Sequence, residues 1–470
     1  MPKNVAGASS SADQHNHEHD LRVAGASSSS APEPREQDFR VAGASSSSAP
    51  EPREQDAPAT PRLRFPEFRD AGEWEVKTLK DTCQMQAGKF VAASDIKEKN
   101  EGNFFPCYGG NGLRGFTATS THEGVYPLIG RQGALCGNVK LASGKFHATE
   151  HALVATPRQK VEVVWLYYVL NLLNLNRFAT GQAQPGLSVD VLEKISVAIP
   201  PTLAEQQRIA DCLSSLDALI AAQARKVDAL KSHKKGLMQQ LFPRDGETQP
   251  RLRFPEFRDA GEWEKLPLGE VTTKTDQRNT NGKSYPVYSI SNKTGFTPQS
   301  EQFEGVDSEK RGYDISLYKL VGQHTFAYNP ARINVGSIGY SGELNNIIIS
   351  SLYVCFKTHP STDDMFLRHF FDTNHFEKAV RDHVEGGIRS YLFYENFARI
   401  SIALPTLAEQ QRIADCLSSL DDLITAATRQ LATLKTHKQG LMQQLFPNVA
   451  GASSSADIHT REQDAPATHP

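Results

Sequence analysis

A seventeen-residue stretch, PTLAEQQRIADCLSSLD, occupies residues 201–217 and returns unchanged at 405–421. A duplication this long constrains the fold, because the two copies must form the same local structure and differ only in what surrounds them. Two further words are also written twice: RLRFPEFRDAGEWE at 62–75 and 251–264, and GLMQQLFP at 236–243 and 440–447. The chain therefore contains the same arrangement twice. Each copy consists of an arm (62–75 and 251–264), a variable block and a repeated segment.

Each repeated segment is predicted to begin a helix. The proline that opens the segment stands just before the expected helix. A Thr-x-x-Glu capping box follows, formed by Thr202 and Glu205 in the first copy and by Thr406 and Glu409 in the second. In such a box the threonine oxygen accepts from a free backbone N–H, and the glutamate reaches back to the N–H of the cap.

The apolar residues of each helix are spaced alternately by four and three, which is typical of a coiled-coil seam. The two seams are Ile209, Leu213, Leu216, Ile220, Val227, Leu230, Leu237 and Leu241, and Ile413, Leu417, Leu420, Ile424, Leu431, Leu434, Leu441 and Leu445. About 40 helical residues span roughly 60 Å. Pro243 and Pro447 end the helices, unless Gly236 and Gly440 end them earlier.

A narrow seam of this length suits a helix partner better than a broad domain face. The other copy is the obvious partner, so we expect the two helices to form an intramolecular antiparallel coiled coil. The alternative is that each helix packs only against its own variable block.

The variable blocks, about 76–200 and 265–404, both predict mixed α and β structure. In each block short extended runs precede a helix, expected at about 161–177 and 363–382, and a glycine-containing loop, a short helix and an edge strand follow. The expected fold class is α+β, with two similar mixed α/β domains joined by the two long helices. The predicted boundaries are 62–200 and 244–404 for the domains, 201–243 and 405–447 for the helices, and 1–61 and 448–470 for the tails.

Both tails share a low-complexity vocabulary; RVAGASSSSAPEPREQD, for example, stands at 22–38 and at 40–56. Ser, Ala, Pro, Glu and Gly without periodic apolar residues cannot offset the entropy lost on ordering, so both tails are predicted to be disordered. The word HNHEH at 15–19 could catch a metal, but a solvated tail is the simpler interpretation.

Composition argues against several classes of protein. Six cysteines without a Cys-x-x-Cys pair argue against a zinc ribbon or a disulfide framework, so a reducing cytoplasm is the expected compartment. The most apolar run, at 161–175, is interrupted by polar residues and is shorter than a bilayer requires. The net charge is −3, with the acidic excess in the tails, so total charge does not indicate a nucleic-acid partner.

Polar residues nevertheless cluster beside glycines in loops of both blocks. Arg, Asn and Gln can make paired hydrogen bonds to base edges, while Lys and exposed amides suit phosphates. These loops predict a DNA-contacting surface, although each residue taken alone could be an ordinary polar group of a loop. The candidates are Tyr108, Asn111, Arg114, Arg131, Gln132 and Lys140 in the first block, and Asn292, Lys293, Arg332, Asn334, Arg389, Ser390 and Tyr391 in the second.

Motifs of catalysis are weak. The word HATEH at 147–151 matches the His-x-x-Glu-His pattern of zinc hydrolases, but it lies between a turn and an extended run rather than on a helix. The word NGKS at 281–284 lacks the upstream glycine of a phosphate-binding loop, because Gln277 stands there. We expect a chain without catalytic residues or a metal site, and keep the zinc hydrolase as an alternative.

The capped word LAEQQRIA after a strand that ends in proline, the closing GLMQQLFP, the arm RFPEF…GEWE and the two-fold plan resemble the specificity subunit of type I restriction–modification enzymes. The resemblance covers about 62–447. It implies two target recognition domains, each reading one half of a bipartite, asymmetric site in double-stranded DNA, with the helices setting the spacing between the halves. The terminal repeats depart from the family pattern.

The resemblance also implies partners. Two methyltransferase subunits would dock on the helices and restriction–translocase subunits would join them, while S-adenosylmethionine, ATP and Mg²⁺ would belong to those partners. Docking is expected on the outer faces of the helices, at Gln206, Gln207 and Arg208 with Gln410, Gln411 and Arg412. A coiled-coil scaffold that binds only proteins, without DNA readout, is the alternative function.

Overall fold

The computed structural model describes residues 60–100, 102–133, 135–181, 185–302, 314–385 and 391–447. Within them, two mixed domains are joined by two long helices, which confirms the expected fold class. The predicted tails lie outside the described residues, except for the two at positions 60 and 61. The domain boundaries stay predictions.

The first domain is built on a six-stranded sheet in the order β2-β7-β5-β6-β3-β4, and β1 pairs with β8 beside it. The helix expected at about 161–177 is α2, which is shorter than predicted because Asn174 takes a left-handed conformation (φ 46°). The described elements of this half are β1 (Glu75–Thr78), α1 (Leu79–Thr82), β2 (Cys83–Ala87), β3 (Phe105–Gly109), β4 (Gly112–Thr117), β5 (His122–Gly130), β6 (Val139–Ala148), β7 (Ala152–Pro157), α2 (Val163–Leu172), α3 (Val189–Leu192), β8 (Ser196–Ile199) and α4 (Leu203–Leu241).

The second domain contains two four-stranded sheets among its described residues, in the orders β10-β17-β14-β15 and β12-β11-β16-β13, and β9 pairs with β18. The single helix expected at about 363–382 is two helices, since the Thr373 side chain accepts from the backbone N–H of Phe376 at 3.2 Å and caps a new helix there. The described elements are β9 (Glu264–Pro267), α5 (Leu268–Val271), β10 (Thr272–Thr275), β11 (Val287–Ser291), β12 (Gly295–Pro298), α6 (Gln299–Gln302), β13 (Lys319–Val321), β14 (Phe326–Tyr328), β15 (Ile338–Tyr340), β16 (Ile347–Ile349), β17 (Val354–Thr358), α7 (Asp364–Phe371), α8 (Asn374–His383), α9 (Tyr394–Phe397), β18 (Ser401–Leu404) and α10 (Leu407–Leu445).

The long helices α4 and α10 have 39 residues each and begin after Thr202 and Thr406, as predicted. Gly236 and Gly440 lie inside them, so the earlier end does not occur. Every residue of the two predicted seams is buried or half-buried. Among the described residues, none of the helices has both the length and the apolar character needed to cross a membrane.

The two long helices pack against each other in antiparallel directions. At the centre, Nε2 of Gln223 donates to the backbone carbonyl of Ala427 at 2.9 Å. Two ion pairs flank this contact, Lys234 with Asp421 and Lys438 with Asp217, each with 2.6 Å between nitrogen and oxygen. Each flanking pair is the equivalent of the other, 204 positions along the chain. A local two-fold axis therefore passes near the central contact.

A buried ion pair joins the arm to the start of the helix in each half. Nε and Nη2 of Arg64 donate to the two carboxylate oxygens of Glu205 at 2.7 and 2.8 Å, and Nε1 of Trp74 donates to the same carboxylate at 3.1 Å. The side chains of Arg64 and Glu205 are only 10% and 1% exposed. Arg253 and Glu409 make the equivalent two bonds in the second half.

The glutamates do not complete the predicted capping boxes. Oγ1 of Thr202 accepts from the backbone N–H of Glu205 at 3.2 Å, as expected, but Thr406 makes no side-chain cap bond. A two-pronged bond to an arginine is charge-assisted and stronger than a bond to a neutral N–H. Both carboxylates therefore face the arms, and their assignment to the cap is wrong.

The end of each helix packs into the domain of the other half. Phe446, just after α10, lies in the first core, with its ring centroid 6.4 Å from that of Trp74. Phe242, just after α4, lies in the second core, 5.1 Å from Phe366. The arms follow the same exchange, since the backbone of Leu63 bonds to Gln444 and that of Leu252 bonds to Gln240. The three duplicated segments, which are the arm, the helix start and the helix end, thus meet at one junction in each half.

The paired helices α4 and α10 form a rod, and the junctions differ where each domain meets this rod. In the first half, Oη of Tyr168 donates to Asp217 at 2.8 Å. In the second half the fully buried His369 takes this place, with Nδ1 at 3.9 Å from Asp421. Burial, together with the nearby charges of Lys234 and Arg368, lowers the pKa of His369 to about 3, and Asp421 opposes this shift only in part.

Replacing Glu205 with Gln should lower the free energy of unfolding by about 3–5 kcal/mol, because it leaves the buried Arg64 guanidinium without its counter-charge. Urea denaturation followed by circular dichroism measures this loss. Lys145→Ala removes an exposed pair with Glu123 and should cost less than about 1 kcal/mol. Equal losses for the two variants would contradict a structural role for the buried pair.

Stability should fall as the pH drops below the ordinary pKa of histidine. The unfolded chain protonates His369 near pH 6.5 while the folded chain keeps it neutral down to about pH 3, so protons favour the unfolded state in this window. His369→Asn should therefore differ from the parent by a pH-dependent amount that reaches about 2 kcal/mol between pH 7 and 5. A difference that stays constant over this range would refute the neutral buried imidazole.

Candidate nucleic-acid interface

Three loops of the first domain come together at one place. The turn between β3 and β4 approaches the end of β5 so closely that a Cβ at Gly130 would lie 1.9 Å from the carbonyl oxygen of Gly110. The backbone N–H of Arg131 donates to the carbonyl of His151 at 2.9 Å, which brings in the turn between β6 and β7. Only glycine permits the first of these contacts, so the glycines noted in the sequence serve to bring the loops together.

The loops enclose an open recess of about 470 Å³. Asn111, Arg114 and Gln132 line it together with His151 and four glycines. Candidates from two separate loops are thus brought to one place. The sequence marks His151 only as part of the His-x-x-Glu-His motif, and its place beside Gln132 could not be found from sequence, since 19 residues separate the two.

The remaining candidates of the first block border this recess. Tyr108 precedes the glycine turn and packs edge-on against Phe146, with ring centroids 5.8 Å apart. Lys140 runs along the turn, where a Cβ at Gly112 would lie 3.5 Å from its Cγ. Arg131 is half-buried, and its backbone, not its side chain, makes the contacts that hold the loop.

The candidates of the second block also gather on neighbouring loops. Asn292 and Lys293 are exposed in the turn between β11 and β12, and Arg332 and Asn334 are exposed in the loop before β15. Oγ of Ser337 donates to the carbonyl of Ile290 at 2.8 Å and ties these two loops together.

A third loop joins this group through the backbone N–H of Leu392, which donates to the carbonyl of Pro330 at 3.0 Å. Tyr391 stands beside it and stacks on Phe393, with ring centroids 5.8 Å apart. Phe393 is 48% exposed, an apolar ring at the surface that no sequence pattern marks. The candidates Arg389 and Ser390 lie outside the described residues.

Two residues expected on the outer faces of the helices are inside the protein. Gln206 is 1% exposed; its Oε1 accepts from the backbone N–H of Glu162, and its Nε2 donates to the carbonyls of Lys160 and Pro200. Gln410 is fully buried and makes the equivalent contacts in the second half. Their amides are occupied within the chain, so the expectation that they lie on the outer faces is wrong.

The other four expected docking residues are exposed. Arg208 and Arg412 pair with Glu67 and Glu256 of the arms, and each stacks on a phenylalanine of its arm. Gln207 and Gln411 face outward. Leu219 and Leu423 occupy equivalent positions and are 51% and 55% exposed, and the heptad pattern does not reveal them because it marks only the seam.

The His-x-x-Glu-His word does not form a metal site. Nδ1 of His147 bonds Oγ1 of Thr119 at 3.0 Å, and Nε2 bonds the carbonyl of Lys89 at 3.0 Å, so both ring nitrogens are occupied. His151 bonds Gln132 instead. Among the described residues, no group of three or more His, Cys, Asp or Glu is placed to hold a metal ion.

Comparisons with known proteins agree with this architecture. The family described as "Type I restriction modification DNA specificity domain" matches residues 71–232 and 260–436, which is well over half of the chain. The type I restriction enzyme EcoprrI specificity subunit of Escherichia coli is 41% identical over 151 residues, an alignment that spans 32% of this chain and 37% of that protein.

Longer matches exist at lower identity. The MjaVIII specificity subunit of Methanocaldococcus jannaschii is 24% identical over 411 residues, spanning 82% of this chain and 93% of that protein. The solved S subunit of the type I restriction–modification system from M. genitalium shares the fold, with a TM-score of 0.58 at 15% identity over 83% of this chain and 99% of that one. Two domains on a pair of duplicated helices, together with these matches, show that the chain belongs to the type I restriction–modification DNA specificity family.

Proposed function

We propose that the chain is the non-catalytic specificity subunit of a type I restriction–modification complex, in which each domain reads one half of a bipartite, asymmetric DNA site. The observation that carries the proposal is the grouping of side chains able to bond to base edges on adjacent loops of both domains, at the recess in the first and around the turn between β11 and β12 in the second. The two groups differ in sequence, whereas the rod between them is duplicated. Two different readers on one symmetric support produce an asymmetric site.

The rod sets the distance between the half-sites. Its length follows from the antiparallel pairing of α4 and α10, and the flanking Lys–Asp pairs fix the register of that pairing. Because helices are stiff on this length scale, the two domains are held at a constant separation along a duplex. The spacer between the half-sites is therefore read as a distance, without base contacts.

Two methyltransferase subunits dock on the rod, one at each copy of its outer face. Leu219 and Leu423 are equivalent, exposed and apolar, which suits two identical partners related by the local two-fold axis. Restriction–translocase subunits join this assembly. S-adenosylmethionine, ATP and Mg²⁺ are bound by the partner subunits.

Replacing residues 76–200 with the corresponding block of another family member should change one half of the methylated sequence and leave the other half intact. Methylome sequencing of a host whose DNA methylation at this site requires the gene measures the result. Exchanging 265–404 is the matched control and should change only the opposite half. Changes in both halves after a single exchange would overturn the assignment of one domain to one half, and unchanged methylation would favour the protein-binding scaffold.

Inserting seven residues after Gln223 and seven after Ala427 should lengthen the spacer by about three base pairs. The insertions face each other at the centre, keep the heptad register, and extend the rod by roughly 10 Å, against 3.4 Å per base pair. The same methylome measurement reports the new spacing. Insertion in one helix alone should abolish methylation, since it moves Lys438 away from Asp217. An unchanged spacer in the double insertion would refute the rod as the measure of distance.

A further inference from the structure

Gln132 is exposed, but its backbone is anchored on both sides. Its backbone forms an isolated antiparallel bridge with Gly186, and the next residue, Gly133, donates to the carbonyl of Pro185 at 3.0 Å. On the other side, the Arg131 backbone bonds to His151. The base of the Gln132 side chain is therefore fixed at the edge of the recess.

A second contact fixes the end of the side chain. Oε1 of Gln132 lies 2.9 Å from Nδ1 of His151, and Nε2 of the same ring lies 3.3 Å from Oε1 of Glu150. An amide oxygen can only accept, so the contact between Nδ1 and Oε1 is a hydrogen bond in the ring tautomer that carries its hydrogen on Nδ1. Nδ1–H then donates to Gln132. An amide that accepts through its oxygen turns its NH₂ group the other way, toward the recess.

Two buried polar atoms lie next to residues that line the recess and have no partner in the part of the chain that the structure describes. Thr149 is fully buried, yet its Oγ1 has no partner among the described residues, and it lies 3.7 Å from the Cβ position of Gly109 in the wall. Oε2 of Glu150 is also buried without a partner in the part of the chain that the structure describes. Buried polar groups left unpaired cost free energy, so the segment behind the recess holds bonding capacity that the described residues do not use.

We propose that His151 is a positioning residue, which turns the NH₂ group of Gln132 toward the recess so that this loop reads a base edge rich in acceptors. Arg114 lines the same recess and adds further donors. In the major groove, guanine presents the acceptors O6 and N7, and donors converging from a glutamine and an arginine match that edge. The recess therefore selects guanine at one position of the half-site read by the first domain. This inference rests on the proposed function.

Substitutions at His151 separate positioning from simple support of the loop. His151→Asn keeps an N–H donor at the δ position and should retain the preference of the parent chain. His151→Asp places an acceptor there, which turns the Gln132 amide around and presents its oxygen to the recess. A preference for a base edge with an amino donor, adenine or cytosine, is then expected at the same position.

Two further variants complete the set. His151→Leu and Gln132→Ala remove the bond and should relax that one position, lowering discrimination roughly 5- to 150-fold, the equivalent of the 1–3 kcal/mol that a good paired contact contributes. The double variant His151→Asp with Gln132→Ala should match Gln132→Ala alone, because His151 acts only through Gln132.

The measurement is methylome sequencing of the host with each variant in place of the natural gene. Continued recognition of the second half-site shows that the complex is folded and assembled. If a variant abolishes methylation, the purified complex with its methyltransferase subunits is titrated with duplexes that carry each base pair at the affected position. Equal affinity for all four base pairs in the parent complex would overturn the inference.

Other outcomes also decide the matter. The inference fails if His151→Asn behaves like His151→Leu, or if His151→Asp relaxes the position without reversing its preference. It also fails if Gln132→Ala leaves the methylated sequence unchanged while exchange of block 76–200 alters the first half-site; the proposed function survives that result. If the block exchange itself alters neither half, the proposed function fails.

Discussion

The buried pair between Arg64 and Glu205, with its copy between Arg253 and Glu409, is the contact on which the architecture depends. Each pair fastens the arm of a domain to the first turn of a long helix. The site is buried, so either charge without its partner would be strongly destabilising. The end of the opposite helix closes over the same junction. This explains the three duplicated words physically: arm, helix start and helix end are identical in both halves because they touch one another.

Between the junctions the rod is nearly symmetric, and its departures from symmetry are informative. Equivalent Lys–Asp pairs flank a centre where Gln223 meets Ala427, so the two helices differ at the axis itself, although the pairs on either side of it are identical. At the two ends, Tyr168 and His369 occupy equivalent places against the rod but belong to the variable blocks. At these contacts the rod accepts different domains by keeping Asp217 and Asp421 the same and leaving the matching partner to each block.

The different roles of rod and domain also explain why the candidate interface is built on loops held by only a few bonds. The residues expected to read bases lie on loops that are drawn together by glycines, backbone bonds and single side-chain ties such as Ser337 to Ile290. Such loops can change their reading residues without disturbing the cores, since few core contacts depend on them. The junction has no such freedom, because every substitution there must satisfy an arm and two helices.

The sequence by itself determined the two-fold plan, the starts and ends of the long helices and the residues of their seam, because caps, heptads and prolines are local patterns that act within a few residues. It also identified most of the loops that carry the candidate site. Only the tertiary structure decided that Gln206 and Gln410 face inward, that Glu205 binds an arm in preference to a helix cap, and that His151 meets Gln132. These outcomes come from contacts between distant segments, where a competing partner such as a guanidinium or a backbone carbonyl outweighs the local preference of the residue, and no periodicity in the chain records that competition.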